Sequence, residues 1–326
     1  MTYSSGGLIQ ATDYNGFVST NSAANINATW NTTYGQTALG TVSAAGVVTA
    51  TQWASLNNTL TAIGNHQGTT LTSRTSPVAT NTITILSNLG TDLGTVYTNR
   101  YNAATQGSQV INWTGTASQT GQTGNFRSAW AITFTDTVTF ANATAATNFF
   151  NAGGTFKIQF SKTSTGTQAD PEWNNFVNNI CGTVYFTSTS TTKTIASVSY
   201  QGTKVIGGSG TPTVGTAIGF AQLTGSNQTI YQQYDSTYNY TGDYVQVQAA
   251  YTAPTLTFTT TWYSAARTTS APNRWISGGT ATAPGTVTFG TAPTTVVTYL
   301  PPETTYLTNT WGTPTVASTV SATPYA

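Results

Sequence analysis

The stretch "AWAITFTDTVTF", residues 129–140, alternates apolar and polar side chains along its length. This alternation places Trp130, Ile132 and Phe134 on one face of an extended strand and the intervening side chains on the other. "TFKIQFSKT", residues 155–163, repeats the pattern with three apolar residues in alternation. Both stretches therefore predict β-strands that bury one face.

Further strand candidates follow at short intervals, separated by turns that contain Gly, Pro or Asn. They are "GTVYFTST", "KTIASVSYQG", "AIGFAQL", "QTIYQQY", "DYVQVQAAYT", "TLTFTTTWYS" and "GTVTFG". Two short helices are predicted between them, in "NATAATNFFNAGG" and in "ADPEWNNFVNNICG", where Asp170 is expected to cap the N-terminus. The pattern predicts an α+β protein that is mainly β, with an antiparallel β-sandwich-like domain and short helical insertions.

The N-terminal part of the chain is predicted to be helical. In "TATQWASLNNTLTAIGNHQGTT", residues 49–70, four apolar residues recur at the spacing of one helix face: Trp53, Leu56, Leu60 and Ile63. Thr49 and Gln52 match a capping box at the start of this helix, and Gly64 is expected to end it. The single histidine of the chain, His66, would then lie in the turn that follows.

Two more helices are predicted in the same region, one within residues 81–103 and a shorter one capped near Thr12 and Asp13. The chain is accordingly divided into a helical docking region (1–105), a Gly/Ser/Thr/Gln-rich linker (106–128), a β-sandwich-like body (129–300) and an extended C-terminal tail (301–326). The tail is expected to be able to lie across a neighbouring subunit.

Composition excludes several classes of function. Only 5% of residues are charged, and nine basic residues nearly balance eight acidic ones. No run of Lys or Arg could follow a phosphate backbone, so nucleic acid is not an expected partner. The sequence lacks a secretion signal and any run of roughly 18 apolar residues, which argues against membrane insertion. Cys181 is the single cysteine, so neither a disulfide nor a zinc site is predicted, and no metal or cofactor is expected.

The sequence offers few catalytic candidates. Asp170 and Glu172 are the only closely spaced acidic pair, but their position before "WNNFVNNI" is typical of a helix N-terminus. His66 could serve as a base, yet no nucleophile or set of metal ligands is visible beside it in the sequence. A structural role is therefore favoured for His66, no catalytic residue is assigned, and the protein is predicted not to be an enzyme.

Aromatic residues make up 12% of the chain, and five tyrosines crowd the segment from residue 231 to residue 244. They are Tyr231, Tyr234, Tyr238, Tyr240 and Tyr244. Aromatic side chains beside Asn, Gln and Thr are typical of sugar-binding grooves, which makes this segment a candidate contact for a glycan or a protein partner. Tyrosines that fill the sandwich core or subunit contacts are the alternative.

Several blocks of the chain resemble virion structural proteins of tailed bacteriophages, especially those of marine and cyanobacterial myophages. The blocks are "GGLIQATDYNGF", "YGQTALGTVSAAGVVTATQWASLNNTLTAIGNHQG", "TFANATAATNFFNAGGTFKIQFS", "YVQVQAAYT" and "TTYLTNTWGTP". The residues that match the pattern are Tyr34, Gly35, Gln36, Trp53, His66, Gln67 and Gly68 in the N-terminal part, and Phe149, Asn151, Gly153 and Gly154 in the later "FFNAGG" block.

The resemblance implies a non-enzymatic component of the tail, baseplate or tail fibre, without cofactors, located in the virion and assembled in the host cytoplasm. Its partners would be copies of itself in a symmetric oligomer and other virion proteins. The alternatives are a receptor- or glycan-binding module at a fibre tip, which would contact host surface glycans, and a capsid decoration protein.

Overall fold

The computed structural model describes residues 10–19, 24–75, 86–102, 111–116, 129–164, 169–195, 198–236, 242–265 and 292–323. The helices are α1 (Ala11–Val18), α2 (Ile26–Trp30), α3 (Ala50–Gln67), α4 (Leu86–Thr98), α5 (Ala143–Asn151) and α6 (Ala169–Asn175). A π-helical turn, Phe176–Ile180, continues α6, and a 3-10 turn covers Phe220–Gln222.

The strands are β1 (Ile111–Thr116), β2 (Trp130–Thr139), β3 (Thr155–Ser161), β4 (Thr183–Phe186), β5 (Lys193–Ile195), β6 (Val198–Tyr200), β7 (Thr203–Ile206), β8 (Thr213–Val214), β9 (Gln228–Tyr234), β10 (Tyr244–Thr252), β11 (Thr255–Ser264), β12 (Thr294–Leu300) and β13 (Thr315–Thr323). They form a six-stranded sheet in the order β13-β2-β11-β10-β9-β8, a five-stranded sheet in the order β1-β12-β3-β4-β7, and the small hairpin β5-β6. All pairings are antiparallel.

The two large sheets pack face to face. The Phe258 ring of β11 lies 5.4 Å from the Phe156 ring of β3 and 5.5 Å from the Phe186 ring of β4, measured between centroids. The indole N–H of Trp262 donates to Thr295 Oγ of the opposite sheet at 3.3 Å. Each fully buried aromatic side chain of this kind stabilises the fold by about 2 kcal/mol. The prediction of an α+β, mainly β protein with a sandwich-like antiparallel body is confirmed.

Three strand predictions differ from the structure or lie outside it. "KTIASVSYQG", residues 193–202, was predicted as one strand but forms the hairpin β5-β6. "AIGFAQL" was predicted as a strand but contains the 3-10 turn, because the side-chain oxygen of Gln222 accepts from the backbone N–H groups of Gly219 at 3.1 Å and Ser190 at 3.0 Å. These bonds close a turn where a strand would need partners on a neighbouring chain segment. "GTVTFG", residues 285–290, lies outside the described residues.

Helix α3 confirms the predicted capping box, with Thr49 Oγ accepting from the Gln52 N–H at 3.3 Å. Its predicted end was wrong, because the helix continues through Gly64 to Gln67. Gly68 adopts the left-handed conformation (φ +65°) that ends helices, and the Thr69 N–H reaches back to the Gly64 carbonyl at 2.8 Å. His66 therefore lies in the last turn of α3 and not beyond it.

The predicted caps of two other helices also shift. Helix α1 begins at Ala11, and its cap is Gln10, whose N–H donates to the Asp13 carboxylate at 3.1 Å. Asp13 thus lies inside the first turn of α1. Helix α6 begins at Ala169, which places Asp170 within the helix and not at its N-cap.

Two segments predicted to be unpaired contain strands. The predicted linker, residues 106–128, includes β1, which pairs with β12. The predicted tail, residues 301–326, includes β13, which pairs with β2 along its whole length, and also carries the buried Leu307 and Trp311. The C-terminal segment therefore packs on its own chain and extends the six-stranded sheet.

Candidate functional site

A turn after α2 positions three of the residues singled out in the sequence, Tyr34, Gly35 and Gln36. Gly35 has φ +68°, a left-handed conformation that favours glycine, and its N–H donates to the Asn31 carbonyl at 2.8 Å. A Cβ atom at Gly35 would overlap the side-chain amide of Asn148 in α5. The turn therefore requires glycine both for its backbone angle and for its contact with the β body.

Tyr34 holds three helices together. Its ring is fully buried, its hydroxyl donates to the Arg100 carbonyl at 2.7 Å, and the same hydroxyl accepts from Gln67 Nε2 at 2.8 Å. Gln67 Nε2 also donates to the Val96 carbonyl of α4 at 2.9 Å. Burial raises the pKa of Tyr34, so that the phenol remains a neutral hydrogen-bond donor.

Gln36 connects the helical region to the C-terminal segment. Its side chain donates from Nε2 to the Thr308 carbonyl and accepts at Oε1 from the Thr308 N–H, both at 2.9 Å. The Gln36 amide thus satisfies both backbone groups of Thr308, as a neighbouring strand would. Thr310 adds a hydrogen bond from its hydroxyl to the Tyr34 carbonyl at 3.0 Å.

His66 connects the helical region to the loop after α5. Its Nε2 lies 2.9 Å from the Ala152 carbonyl oxygen, and because a carbonyl accepts, this nitrogen donates. The Tyr34 ring packs edge-on against the imidazole with centroids 5.2 Å apart. Tyr34, Gln36, His66 and Gln67 together form what we term the polar junction. All four side chains are buried, so the imidazole has no open approach for a substrate.

The "FFNAGG" block meets the polar junction and also fills the core. Phe149 packs against Phe150 and Phe140, and a Cβ atom at Gly154 would overlap the Phe149 ring. Gly153 has φ +105°, and Asn151 is the last residue of α5. Trp53 lies apart from the junction and packs against Tyr14 and Phe17, with ring centroids 5.6 and 6.0 Å away.

Several groups that contact the polar junction were not predicted from the sequence. They are the carbonyl groups of Ala152, Arg100 and Val96, the backbone of Thr308, and the Asn148 side chain. A backbone carbonyl carries no residue-type signal, so no sequence pattern could have indicated these partners. The density of Asn in "NATAATNFFNAGG" is the one signal that pointed toward Asn148.

The tyrosine segment divides between core and surface. Tyr234, Tyr244 and Tyr263 lie directly opposite one another on β9, β10 and β11. Ring centroids are 5.5 Å apart for Tyr234 and Tyr244, and 4.8 Å apart for Tyr244 and Tyr263. We term these three residues the tyrosine row. Tyr234 is 51% exposed, so the row ends in an accessible aromatic surface.

Tyr231 does not contact the surface, which corrects its predicted role. Its ring is fully buried and stacks on Phe160, with centroids 5.6 Å apart. The pairing register of β9 with β10 shifts between Val247 and Gln248, and this irregularity turns both Ile230 and Tyr231 inward. The remaining two candidates, residues 238 and 240, lie outside the described residues.

The acidic and thiol groups show no catalytic arrangement in the part of the chain that the structure describes. Asp170 and Glu172 both fall in the first turn of α6, as expected for acids at a helix N-terminus. Asp136 is fully buried in β2 and accepts from the Ser318 hydroxyl at 2.5 Å; burial raises its pKa. Burial also raises the pKa of the Cys181 thiol to about 12, which leaves it unreactive at neutral pH.

The groove and the potential metal ligands among the described residues give no further catalytic candidate. An open groove of about 560 Å³ lies beside α3 and is lined mostly by Asn, Thr and Gly; Arg74 on its wall is ion-paired with Asp92. Among the described residues, no group of three or more His, Cys, Asp or Glu side chains could hold a metal ion. None of the helices described is both long enough and apolar enough to cross a bilayer.

The arrangement as a whole is suited to holding chain segments together and to presenting surfaces. Its buried polar groups bond mainly to backbone, and the tyrosine row lies on the outer face of the six-stranded sheet with Tyr234 exposed. Comparison of the chain with models of protein families, with curated protein sequences and with solved structures finds no match.

Proposed function

We propose that this protein is a non-enzymatic structural subunit of a bacteriophage virion, in the tail, baseplate or fibre apparatus. It docks through its N-terminal helical region and packs as a symmetric oligomer. The observation that carries the proposal is the outer face of the six-stranded sheet. Threonines of β2 and β11 pair there directly, in a surface we term the threonine face: Thr133, Thr135, Thr137, Thr257, Thr259 and Thr261.

The threonine face is suited to burial against another protein. Its side chains are half-buried within the isolated chain and carry no charge. Removing them from water therefore costs far less than removing charged groups, and the cores of protein interfaces are depleted in charge for the same reason. The rest of the chain shares this low charge, since only 5% of all residues are charged.

The polar junction supports the docking part of the proposal. It fixes the helical region to the β body through buried hydrogen bonds from Gln36 to Thr308 and from His66 to Ala152. A force applied to the docked helices would thus pass into both the C-terminal segment and the loop after α5. The resemblance to virion structural proteins includes all four residues of the polar junction.

The proposal is tested on purified particles of the virus that encodes the chain. Antibodies raised against the recombinant chain should bind the tail or baseplate in electron micrographs. Densitometry of purified particles should give a symmetric copy number of about three, six or twelve. Antigen that remains in the lysate and is absent from the particles would contradict a virion role. Labelling of the head at several hundred copies would favour capsid decoration instead.

A second function, glycan binding at a fibre tip, is favoured by the tyrosine row. Rings of tyrosine present large contact area at low entropic cost, and Gln232 lies beside the row with its Nε2 donating to the Tyr234 hydroxyl at 3.0 Å. An aromatic face with amide groups next to it is the chemistry that binds a sugar ring and its hydroxyls.

Replacing Tyr234 or Tyr244 with Ala is expected to weaken glycan binding at least about tenfold, a loss of about 1.4 kcal/mol. Binding is measured on a glycan array and then by titration with the glycans that bind. Tyr185→Ala is the matched control, because Tyr185 is also half-buried but lies on β4 of the opposite sheet. Wild-type binding by the Tyr234 and Tyr244 variants, or no binding by the unmodified chain, would eliminate this function.

A further inference from the structure

Strand β13 forms one edge of the six-stranded sheet. All nine of its residues, Thr315–Thr323, pair with β2 on one side. On the other side, no strand among the described residues pairs with it. Side chains at 315 and from 317 to 322 are exposed, and Val320 is 36% exposed. The strand therefore presents a row of backbone N–H and C=O groups along an accessible edge.

This edge lacks the features that usually prevent strands from pairing with other chains. The sequence "TVASTVSAT" contains no charged residue and no proline, and its register with β2 has no bulge. The opposite edge of the same sheet, β8, has only two residues, Thr213 and Val214. At one edge of the five-stranded sheet, β7 carries Lys204. Among these edges β13 is both the longest and the least protected.

The strand is complementary to itself in antiparallel orientation. A two-fold axis through Thr319 places Thr315 opposite Thr323 of the second copy, Ala317 opposite Ser321, and Thr319 opposite its own equivalent. Each pair joins residues of the same face, so the pleat and the two faces continue across the axis. No like charges meet, because β13 carries none. A foreign partner would need a charge pattern or a pocket for recognition, and the strand has neither.

Thr319 also continues the threonine face toward this edge. It pairs with Thr135, which in turn pairs with Thr259, so a row of threonines runs across β11, β2 and β13. Pairing at the edge would double this row without interruption. Threonine pairs across antiparallel strands stabilise a sheet through methyl contacts and hydroxyl hydrogen bonds.

We propose that β13 pairs antiparallel with β13 of a second copy of this chain, about a two-fold axis at Thr319. The two sandwiches then share one continuous sheet made of two six-stranded halves. This inference deepens the proposed function, since it rests on the oligomer and names its interface.

The first test measures the mass of the wild-type chain and its Thr319→Lys variant by light scattering after size-exclusion chromatography. The wild type is expected as a dimer or a larger even-numbered oligomer, and Thr319→Lys as a species of half that mass, because two ammonium groups would face each other at the axis. Thr213→Lys is the matched control, since it adds the same charge at an exposed position of β8, the opposite edge of the same sheet, outside the threonine face. It should keep the wild-type mass.

Mixing two oppositely charged variants distinguishes charge repulsion at the axis from misfolding of the variant chain. Thr319→Glu should also halve the mass, and mixing it with Thr319→Lys should restore the original mass through a Lys–Glu pair at the axis. Thr319→Cys should cross-link two chains under mild oxidation, whereas Thr213→Cys on β8 should not. Cys181 is buried and does not compete.

The inference is overturned if the wild type is a monomer or an odd-numbered oligomer. It is also overturned if Thr319→Lys keeps the wild-type mass, if mixing restores nothing, or if Thr319→Cys fails to cross-link. Particle labelling tests the virion role independently. Labelled particles together with an unchanged Thr319→Lys mass would overturn the β13 interface and leave the proposed function standing. An intact β13 dimer that is absent from particles would leave the β13 interface standing and overturn the proposed virion role.

Discussion

Replacing Gly35 with Ala is expected to lower the free energy of unfolding by about 3 kcal/mol, from roughly 1–2 kcal/mol for a left-handed non-glycine residue and about 1–3 kcal/mol for overpacking. The new methyl group would overlap the Asn148 side chain, and φ +68° would strain the backbone. The turn would move, and Tyr34 and Gln36 on either side would lose their partners. Urea denaturation followed by tryptophan fluorescence measures the loss.

Gly40→Ala is the matched control for this substitution. Gly40 lies five positions further along the same loop, has no atoms within 4 Å of a Cβ position, and does not have a left-handed φ. Its replacement should leave the unfolding midpoint almost unchanged. Adding Asn148→Ala to Gly35→Ala should recover part of the loss, since it removes the overlap but not the backbone strain. A Gly35→Ala variant as stable as the control would show that the turn is not needed to hold the junction.

Replacing His66 with Ala is expected to cost about 3 kcal/mol, of which roughly 1–3 kcal/mol comes from leaving a buried carbonyl unsatisfied and the rest from the cavity. His66 is 1% exposed, and its Nε2 is the donor to the Ala152 carbonyl. The loss should appear in thermal and urea unfolding and in reduced incorporation into particles, without the loss of any chemical turnover.

Two further variants serve as controls for the stability loss expected of His66→Ala. His66→Gln retains a donor that can reach the carbonyl, and it should recover a large part of the stability. Asn65→Ala changes the exposed neighbour in the same turn of α3 and should be nearly neutral. If His66→Ala unfolds at the wild-type midpoint, or if Asn65→Ala costs as much, then the imidazole does not hold the junction.

Much of the sandwich could be predicted from periodicity because the strands in question bury one face. Strands β2, β3, β4, β9, β10 and β11 all follow the predicted stretches. Strands β1, β7, β8, β12 and β13 lie outside the predicted stretches, and β13 was missed for two reasons. The stretch "TVASTVSAT" alternates only weakly, because no second sheet covers β13 fully. Its partner β2 is also distant in sequence, with Ser318 and Asp136 lying 182 positions apart, and local patterns contain no information on such pairing.

The candidate site could be predicted only in part. Tyr34, Gln36, His66 and Gln67 were singled out by resemblance, but their neighbours in space are backbone groups that any residue could supply. Tyr263 was not predicted, although it lies opposite Tyr244 once the turn between β10 and β11 sets the register. Tyr231 was counted among the candidate contacts, with the core as the alternative, because a register shift in β9 cannot be read from alternation alone.

The bond between Gln36 and Thr308 spans 272 residues, which sets an order of events during synthesis. The ribosome releases the N-terminal helices and most strands well before Thr308 and β13 exist. Until then Gln36 lacks its partner and β2 has an open edge on one side. A chain cut short upstream of Thr308 would therefore keep the His66–Ala152 hydrogen bond but lose both the Gln36–Thr308 bonds and the edge strand β13.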